Sequence, residues 1–198
     1  MSQINVDTIG EKTSANGVSI DGLNIKDSAI NTGAIGSSVT GFSGIKNADM
    51  FYMSADVTSN SDFTSWSSVT ADKSDSDRIG SAITESNGIF TFPQTGIYWI
   101  VLTYNVLATS GDNVVTKILT TVDNASNWVE ASYLADSGSN GYDNVGLHNY
   151  LFKVASITGS TTCKCKFASA SVSSGSKIYG DTGGIPRTTA LFIRLGDI

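Results

Sequence analysis

Hydrophobic and polar positions change character part-way along this chain. In residues 1–48 the apolar residues come in short alternating runs: Ile4, Val6 and Ile9, then Val18 and Ile20, then Leu23 and Ile25. Asn16-Gly17 and Asp21-Gly22 separate them, dipeptides that tolerate the positive φ of tight hairpin turns. Between 28 and 38 small residues dominate, with isolated isoleucines as the main apolar positions. One copy of such a segment holds too few large apolar groups to offset its ordering entropy. Either such a segment is disordered, or it winds around identical copies; the alternation favours the second, an N-terminal stalk or anchor of short strands and extended chain over 1–48 whose copies pool Ile4, Val6, Ile9, Val18, Ile20, Leu23 and Ile25.

From about Met50 the runs lengthen and turn signals recur at regular spacing, which places a single head domain over 49–198. Strands are expected at 50–56, 63–70, 79–84, 87–93, 96–107, 113–123, 127–135, 145–156, 161–170 and 188–195. The breaks between them are rich in Gly, Ser, Asp and Asn, notably at 72–77, 110–112, 136–144 and 173–187. No window keeps a period of 3.6, so helix should be nearly absent. Ten strands without βαβ alternation predict an all-β, two-sheet sandwich. Within it, Gly96 to Val106 is apolar on both faces for most of its length, as are Gly146 to Val154 and Leu191 to Ile193. An antiparallel sheet that faced water on one side would alternate. Without helices to lie over it, such a sheet is expected to be buried against another subunit.

Composition narrows the partners. The 198 residues are 15% charged, with a formal charge of -6 and a pI near 4.5. No basic patch is present, so nucleic acid is not an expected partner. The opening Met1-Ser2-Gln3-Ile4-Asn5 lacks the basic and apolar character of a secretory leader, and no apolar run approaches membrane-spanning length; synthesis in the cytoplasm and no membrane insertion are expected. Cys163 and Cys165 lie two apart in an alternating segment, where a strand backbone holds their side chains on one face but too far apart to bridge. Free, buried thiols follow.

Candidate chemistry is sparse. His148 is the only histidine, and between Leu147 and Asn149 in a strand it reads as packed and hydrogen-bonded. A zinc site of His148, Cys163 and Cys165 would lack the usual Cys-x-x-Cys spacing and a fourth ligand. The acidic run 72–77 lacks the glycine and final glutamate of an EF-hand, so it reads as a solvated loop. Glutamate occurs only at Glu11, Glu85 and Glu130, and no nucleophile elbow, phosphate loop or dinucleotide fingerprint is present. No enzymatic activity, cofactor or metal is expected.

The phrase Asn87-Gly88-Ile89-Phe90-Thr91-Phe92-Pro93-Gln94-Thr95-Gly96-Ile97-Tyr98-Trp99-Ile100 resembles the hallmark of the tumour necrosis factor-like superfamily and of related complement-type globular heads. The closing run Thr188 to Leu195 is similar to that family's last strand. The resemblance implies a ten-stranded jelly roll that forms a homotrimer through its inner sheet, with Trp99, Val101, Leu147, Leu151 and Phe192 nearest the three-fold axis. Tyr98, Ile100, Leu102, Phe152 and Val154 would then fill each sandwich. In the N-terminal part, Val6-Asp7-Thr8-Ile9, Asn16-Gly17-Val18 and Ile20-Asp21-Gly22-Leu23-Asn24-Ile25-Lys26-Asp27 resemble segments that precede adhesive heads in bacteriophage tail fibre and virion proteins.

Strand direction adds a candidate binding end. In an antiparallel jelly roll the first and last strands pair, so Met50 and Ile198 should share one end. The loops 108–112, 136–144 and 171–187 should then lie at the other, bringing Tyr142, Asp143, Tyr179, Asp181 and Arg187 to a receptor-binding surface. Tyr142 and Tyr179 could equally be exposed contacts or loop anchors. The expected protein is a phage virion appendage, attached to other virion proteins by its N-terminal segment, whose head binds a host-surface glycan or protein. Alternatives are a capsid decoration, head fibre or tail adaptor without receptor binding, or a glycan-cleaving tip enzyme.

Overall fold

A computed structural model describes residues 18–20, 23–26, 29–30, 44–69, 77–109, 112–137, 143–182 and 184–198. The chain divides into two compact units, Met1–Gly44 and Ile45–Ile198. In the first, β1 (Val18–Ile20), β2 (Leu23–Lys26) and β3 (Ala29–Ile30) form an antiparallel sheet in chain order, with Val18 opposite Ile25 and Ile20 opposite Leu23. The expected run at Ile4, Val6 and Ile9, the acidic residues 72–76 and Tyr142 lie outside the described residues.

The second unit is nearly all β. Its strands are β4 (Ala48–Met53), β5 (Trp66–Ser68), β6 (Thr84–Ser86), β7 (Ile89–Thr91), β8 (Gly96–Leu107), β9 (Asn113–Thr121), β10 (Val129–Ser137) and β11 (Asp143–Val154). They continue with β12 (Lys164–Ala170), β13 (Lys177–Ile178), β14 (Asp181–Thr182), β15 (Ile185–Pro186) and β16 (Thr189–Gly196). Sheet I runs β11-β8-β16-β4-β5, with β13 also paired to β8, and sheet II runs β10-β9-β12-β7-β6. The chain passes repeatedly from one sheet to the other, which makes this an antiparallel jelly-roll sandwich. The expected strands occur in order, except that 79–84 is reduced to a bridge between Ile79 and Ala48, after which β6 begins.

Alternation decides which side chains enter the sandwich. Tyr98, Ile100, Leu102, Tyr104 and Val106 of β8 point inward with Phe152 and Val154 of β11, all buried in one hydrophobic cluster. Aromatic rings dominate its centre: Phe90 meets Phe192 at 4.9 Å between centroids, Phe51 at 5.1 Å, Trp66 at 5.5 Å and Phe167 at 5.6 Å. Phe192, expected at a three-fold axis, is therefore a core residue with 0% exposure. Its strand is apolar at 191, 192 and 193, so the pattern alone does not set the phase. Arg194 shares the phase of Phe192 and would mark that face as outward, yet its guanidinium is buried, donating to the Thr95 carbonyl at 2.8 Å and pairing with Asp197. Cys163 and Cys165 are buried free thiols in the same cluster, and full burial pushes the Cys165 thiol pKa up.

Two glycines shape this framework. Asn87 and Gly88 have φ of +50° and +83° and join β6 to β7 with Ser86 opposite Ile89, the two-residue turn whose twist matches paired strands. At Gly146 a Cβ would stand 2.1 Å from the Tyr104 ring, so the missing side chain is what lets that ring lie against β11. β4 and β16 pair antiparallel, with Ile193 opposite Ala48, and the Arg194 amide donates to the Asn47 carbonyl at 2.9 Å. Entry into the head and its C-terminal end thus share one end of the sandwich.

The aromatic centre yields a stability expectation. Phe90→Ala should cost about 3–5 kcal/mol, because four ring neighbours cannot all collapse into the space it leaves. Urea denaturation should show a lowered midpoint. A cost below about 1 kcal/mol would mean that the cluster is not close-packed around Phe90.

Candidate functional site

Two surfaces of the head stand out. The first is the outer face of sheet I, where the residues alternating with the core set fall into cross-strand rows. Leu151 lies opposite Trp99, which lies opposite Ile193. Asn149, Val101, Leu191 and Met50 make a second row, and Leu147, Thr103, Thr189 and Tyr52 a third. Leu147 and Leu151 are 57% and 60% exposed, Trp99 40% and Val101 only 8%. Four of the five expected interface residues therefore share this face. Sequence reasoning missed Leu191, Ile193, Met50 and Val145, although once Phe192 is placed inward the alternation of β16 assigns the first two.

Where a large apolar side chain stands in water, its removal from water stabilises by roughly 25 cal/mol per Å². The outer face is an apolar surface of this kind, running across β11, β8, β16 and β4. At its β4 edge a pocket of about 170 Å³ is lined by Ala48, Asp49, Met50, Asp77, Ile79 and Leu191.

A second surface forms at the end of the sandwich far from Ala48 and Ile198. Leu107, the last residue of β8, pairs with Asp143 on one side and Lys177 on the other, which draws the start of β11 and strand β13 together. The Thr109 amide donates to Ser176 Oγ at 2.9 Å, and the Ser173 amide to Asp112 Oδ2 at 3.2 Å, adding the loop after β8. At the centre is Tyr179. Its hydroxyl donates to Asp143 Oδ1 at 2.9 Å, while Lys177 Nζ and the Arg187 guanidinium carbon lie 4.4 and 4.5 Å from its ring centroid. Arg187 Nη1 reaches Asp143 Oδ2 at 3.3 Å. Lys177 also pairs with Asp56 Oδ2 at 2.7 Å, and the Gly180 amide donates to Asp56 Oδ1 at 2.9 Å.

Of the two alternatives for Tyr179, the geometry is that of a loop anchor. It ties together the three residues Asp143, Arg187 and Lys177 from separate strands and loops. Burial, followed by the hydrogen bond to Asp143 and that residue's charge, raises the phenol pKa above its ordinary value. Partial burial acts to raise the Asp56 pKa, but the Lys177 ammonium and the Gly180 amide outweigh it and hold the carboxyl below the usual range. Asp181, in β14 opposite Pro186, has a buried Oδ1 with no hydrogen-bond partner among the described residues. Asp143, Tyr179 and Arg187 are thus brought together, Asp181 lies two residues on from Tyr179, and Lys177 and Asp56 join a cluster that sequence reasoning had left without them. The short strands β13, β14 and β15 occupy a stretch expected as loop; β13 exists because β8 extends past β16 and offers it a partner.

Comparison with known proteins bears on the fold. Eiger TNF from S. frugiperda superposes with a TM-score of 0.57 over 78% of this chain and 96% of that one, at 13% identity. Murine APRIL at pH 5.0 gives a TM-score of 0.56 over 75% and 98%, at 11% identity. The pH 8.5 structure of murine APRIL gives 0.53 at 10% identity, over the same shares. No protein-family model and no curated protein sequence matches the chain. The head is a jelly roll of the tumour necrosis factor-like type.

The anchoring role of Tyr179 can be measured. Tyr179→Phe keeps the ring between its two cations and removes only the hydroxyl bond to Asp143. A loss of about 1 kcal/mol is expected, seen as a melting temperature lower by roughly 2–4 °C. An unchanged melt would show that the hydroxyl does not hold the loops.

Proposed function

We propose that this protein is a homotrimeric attachment protein, in which three heads close around the outer face of sheet I and present their far-end loop clusters to a surface receptor. The observation that carries it is that face. Strand β8 is apolar on both sides, and among the described residues nothing in the same chain covers Trp99, Leu147 and Leu151.

The layout of the face favours a ring over a two-fold pair. Val145, Leu147 and Leu151 stand out along β11 at one edge, and the pocket beside Met50 and Leu191 lies at the other. A contact that seats the ridge of one copy in the pocket of the next joins two different patches, and such heterologous contacts form a ring where the rotation between copies closes. The trimer implied by the resemblance to tumour necrosis factor-like proteins is a ring of this kind. Three copies of a loop cluster facing one way gain avidity even when each contact is weak.

Residues 1–48 serve in this reading as the segment that anchors the trimer, and the particle that carries it is a bacteriophage virion. This part is supported by the motifs in residues 6–27 alone. The receptor is a glycan or protein of the host surface, met through Asp143, Tyr179, Asp181 and Arg187, with Tyr142, next to Asp143 in the sequence, proposed to take part.

Light scattering on the 198-residue chain tests the assembly: the expected mass is three times the 20.7 kDa of one chain, and a single-chain mass would sink the proposal. Leu151→Asp should dissociate the trimer while leaving strand content by circular dichroism intact, because it places carboxylates in a desolvated seam. Arg187→Ala should lower adsorption to host cells without changing the trimer mass. Adsorption equal to that of the parent would move the receptor contact away from this cluster.

A further inference from the structure

His148 was expected to be packed and hydrogen-bonded, and only the first holds. It is 4% exposed in the edge strand β11, and among the described residues neither Nδ1 nor Nε2 has a hydrogen-bond partner. Two other buried polar side chains, Tyr104 of β8 and Thr116 of β9, have hydroxyls that likewise close no hydrogen bond, although Thr116 lies beside the Tyr104 hydroxyl. The Tyr104 ring meets the imidazole edge-on at 6.4 Å between centroids. Buried polar groups are almost always paired, so three orphans in one corner of an otherwise apolar core call for a physical reason.

The surroundings offer little to a charged imidazole. From β10 comes the Tyr133 main chain, which approaches His148 without completing a hydrogen bond. Asp136, also on β10, acts on Tyr104 and accepts from Asn144 Nδ2 at 3.4 Å. Lys117 of β9 is committed to Glu130 at 2.6 Å and to the Tyr133 ring beside it. Strands β10 and β11 belong to different sheets and share no backbone ladder, so side-chain contacts, the Asn144–Asp136 hydrogen bond among them, keep this side of the sandwich shut.

We propose that His148 is an acid-sensitive latch between the two sheets: the neutral imidazole lets β11 close against β9 and β10, and protonation opens that side of the head. Burial holds the imidazole pKa below 6.5, with the Tyr133 main chain acting the other way. An opened or unfolded His148 takes up its proton near that ordinary value, whereas the closed state does so only at lower pH. Closure is therefore at full strength above about 6.5 and weakens as pH falls towards the lowered folded value, by up to about tenfold in the opening equilibrium per pH unit. The same strand carries Leu147 and Leu151 on one face and Asp143 at its distal start, so opening would loosen both the seam and the Tyr179 cluster. That consequence rests on the trimeric attachment reading; the latch itself does not.

The chain has a single histidine, so one set of imidazole resonances reports it without assignment. On the full-length protein, the imidazole titration and amide hydrogen exchange should be followed together from about pH 8 to about pH 5. Opening of Val129–Ser137 and Asp143–Val154, read as exchange relative to the unstructured chain at the same pH, is expected to rise as pH falls below about 6.5, by up to about tenfold per pH unit, while β4 and β16 stay protected. His148→Gln, neutral throughout, should abolish that dependence. The latch is overturned by an imidazole midpoint at about 6.5 without a change in exchange, or by the same acid response in His148→Gln. Should the variant fail to fold, the wild-type titration against exchange still decides. Mass at neutral pH tests the trimer alone, which separates a failure of that reading from a failure of the latch.

Discussion

Strand β8 has to satisfy two hydrophobic surfaces at once, and the architecture is arranged around that demand. Tyr98, Ile100, Leu102, Tyr104 and Val106 enter the sandwich, while Trp99, Val101 and Leu107 stand on the other side. β8 runs inside sheet I, flanked by β11 on one edge and by β16 and β13 on the other. A strand so placed cannot turn its second face to water without leaving large apolar groups exposed, and among the described residues no helix layer covers them. A second copy presents the same need and the same surface. In the proposed trimer, assembly would complete a core that one chain leaves open.

The same strand links assembly to the far-end loops. Because β8 extends beyond β16, its last residues Val106 and Leu107 are free on one edge to pair with Ile178 and Lys177, and Leu107 pairs with Asp143 on the other. The Tyr179 cluster is therefore mounted directly on the strand whose middle forms the apolar face. Its ion pairs are partly exposed and contribute little individually. Their use lies in holding three chain segments together, since Tyr179, Asp143 and Arg187 constrain one another through a hydroxyl bond, a stacking contact and a salt bridge. In the proposed attachment role, such a cluster would present a defined shape without further ordering cost.

Much of this was legible in the residues, and the misses have physical causes. Alternation located the long strands because a period of two survives wherever one face is buried, and it placed Tyr98, Ile100, Leu102, Phe152 and Val154 in the core. It failed at Phe192, where three consecutive apolar residues erase the period and a buried Arg194 imitates a surface position. β13 to β15 were invisible because two-residue strands in a Gly-rich stretch carry no pattern of their own; partners distant in sequence create them. Lys177 and Asp56 escaped notice for a similar reason, since 121 residues separate the two halves of their ion pair. His148 shows the limit from the other direction. Sequence told that it would be buried, but whether a buried imidazole finds a partner depends on which atoms of other strands arrive beside it.

The edges of the sheets bear on how copies can meet. An open strand edge offers unpaired backbone groups and invites indiscriminate pairing unless it is short, bulged or charged. In sheet I the β5 edge is three residues long, and β11 carries Asp143 and Lys153 along its length. Sheet II ends in the three-residue β6 on one side and in β10 on the other, where the register breaks between Glu130 and Ser132. That break, with the Lys117–Glu130 ion pair beside it, disfavours the addition of a further strand. With its edges blunted and one face apolar, the head is steered away from lateral sheet extension and towards packing through the side chains of sheet I. The large apolar surface left open is then the one that carries Trp99, Leu147 and Leu151, and in the proposed trimer its ridge and pocket, at opposite edges, would meet between neighbouring copies.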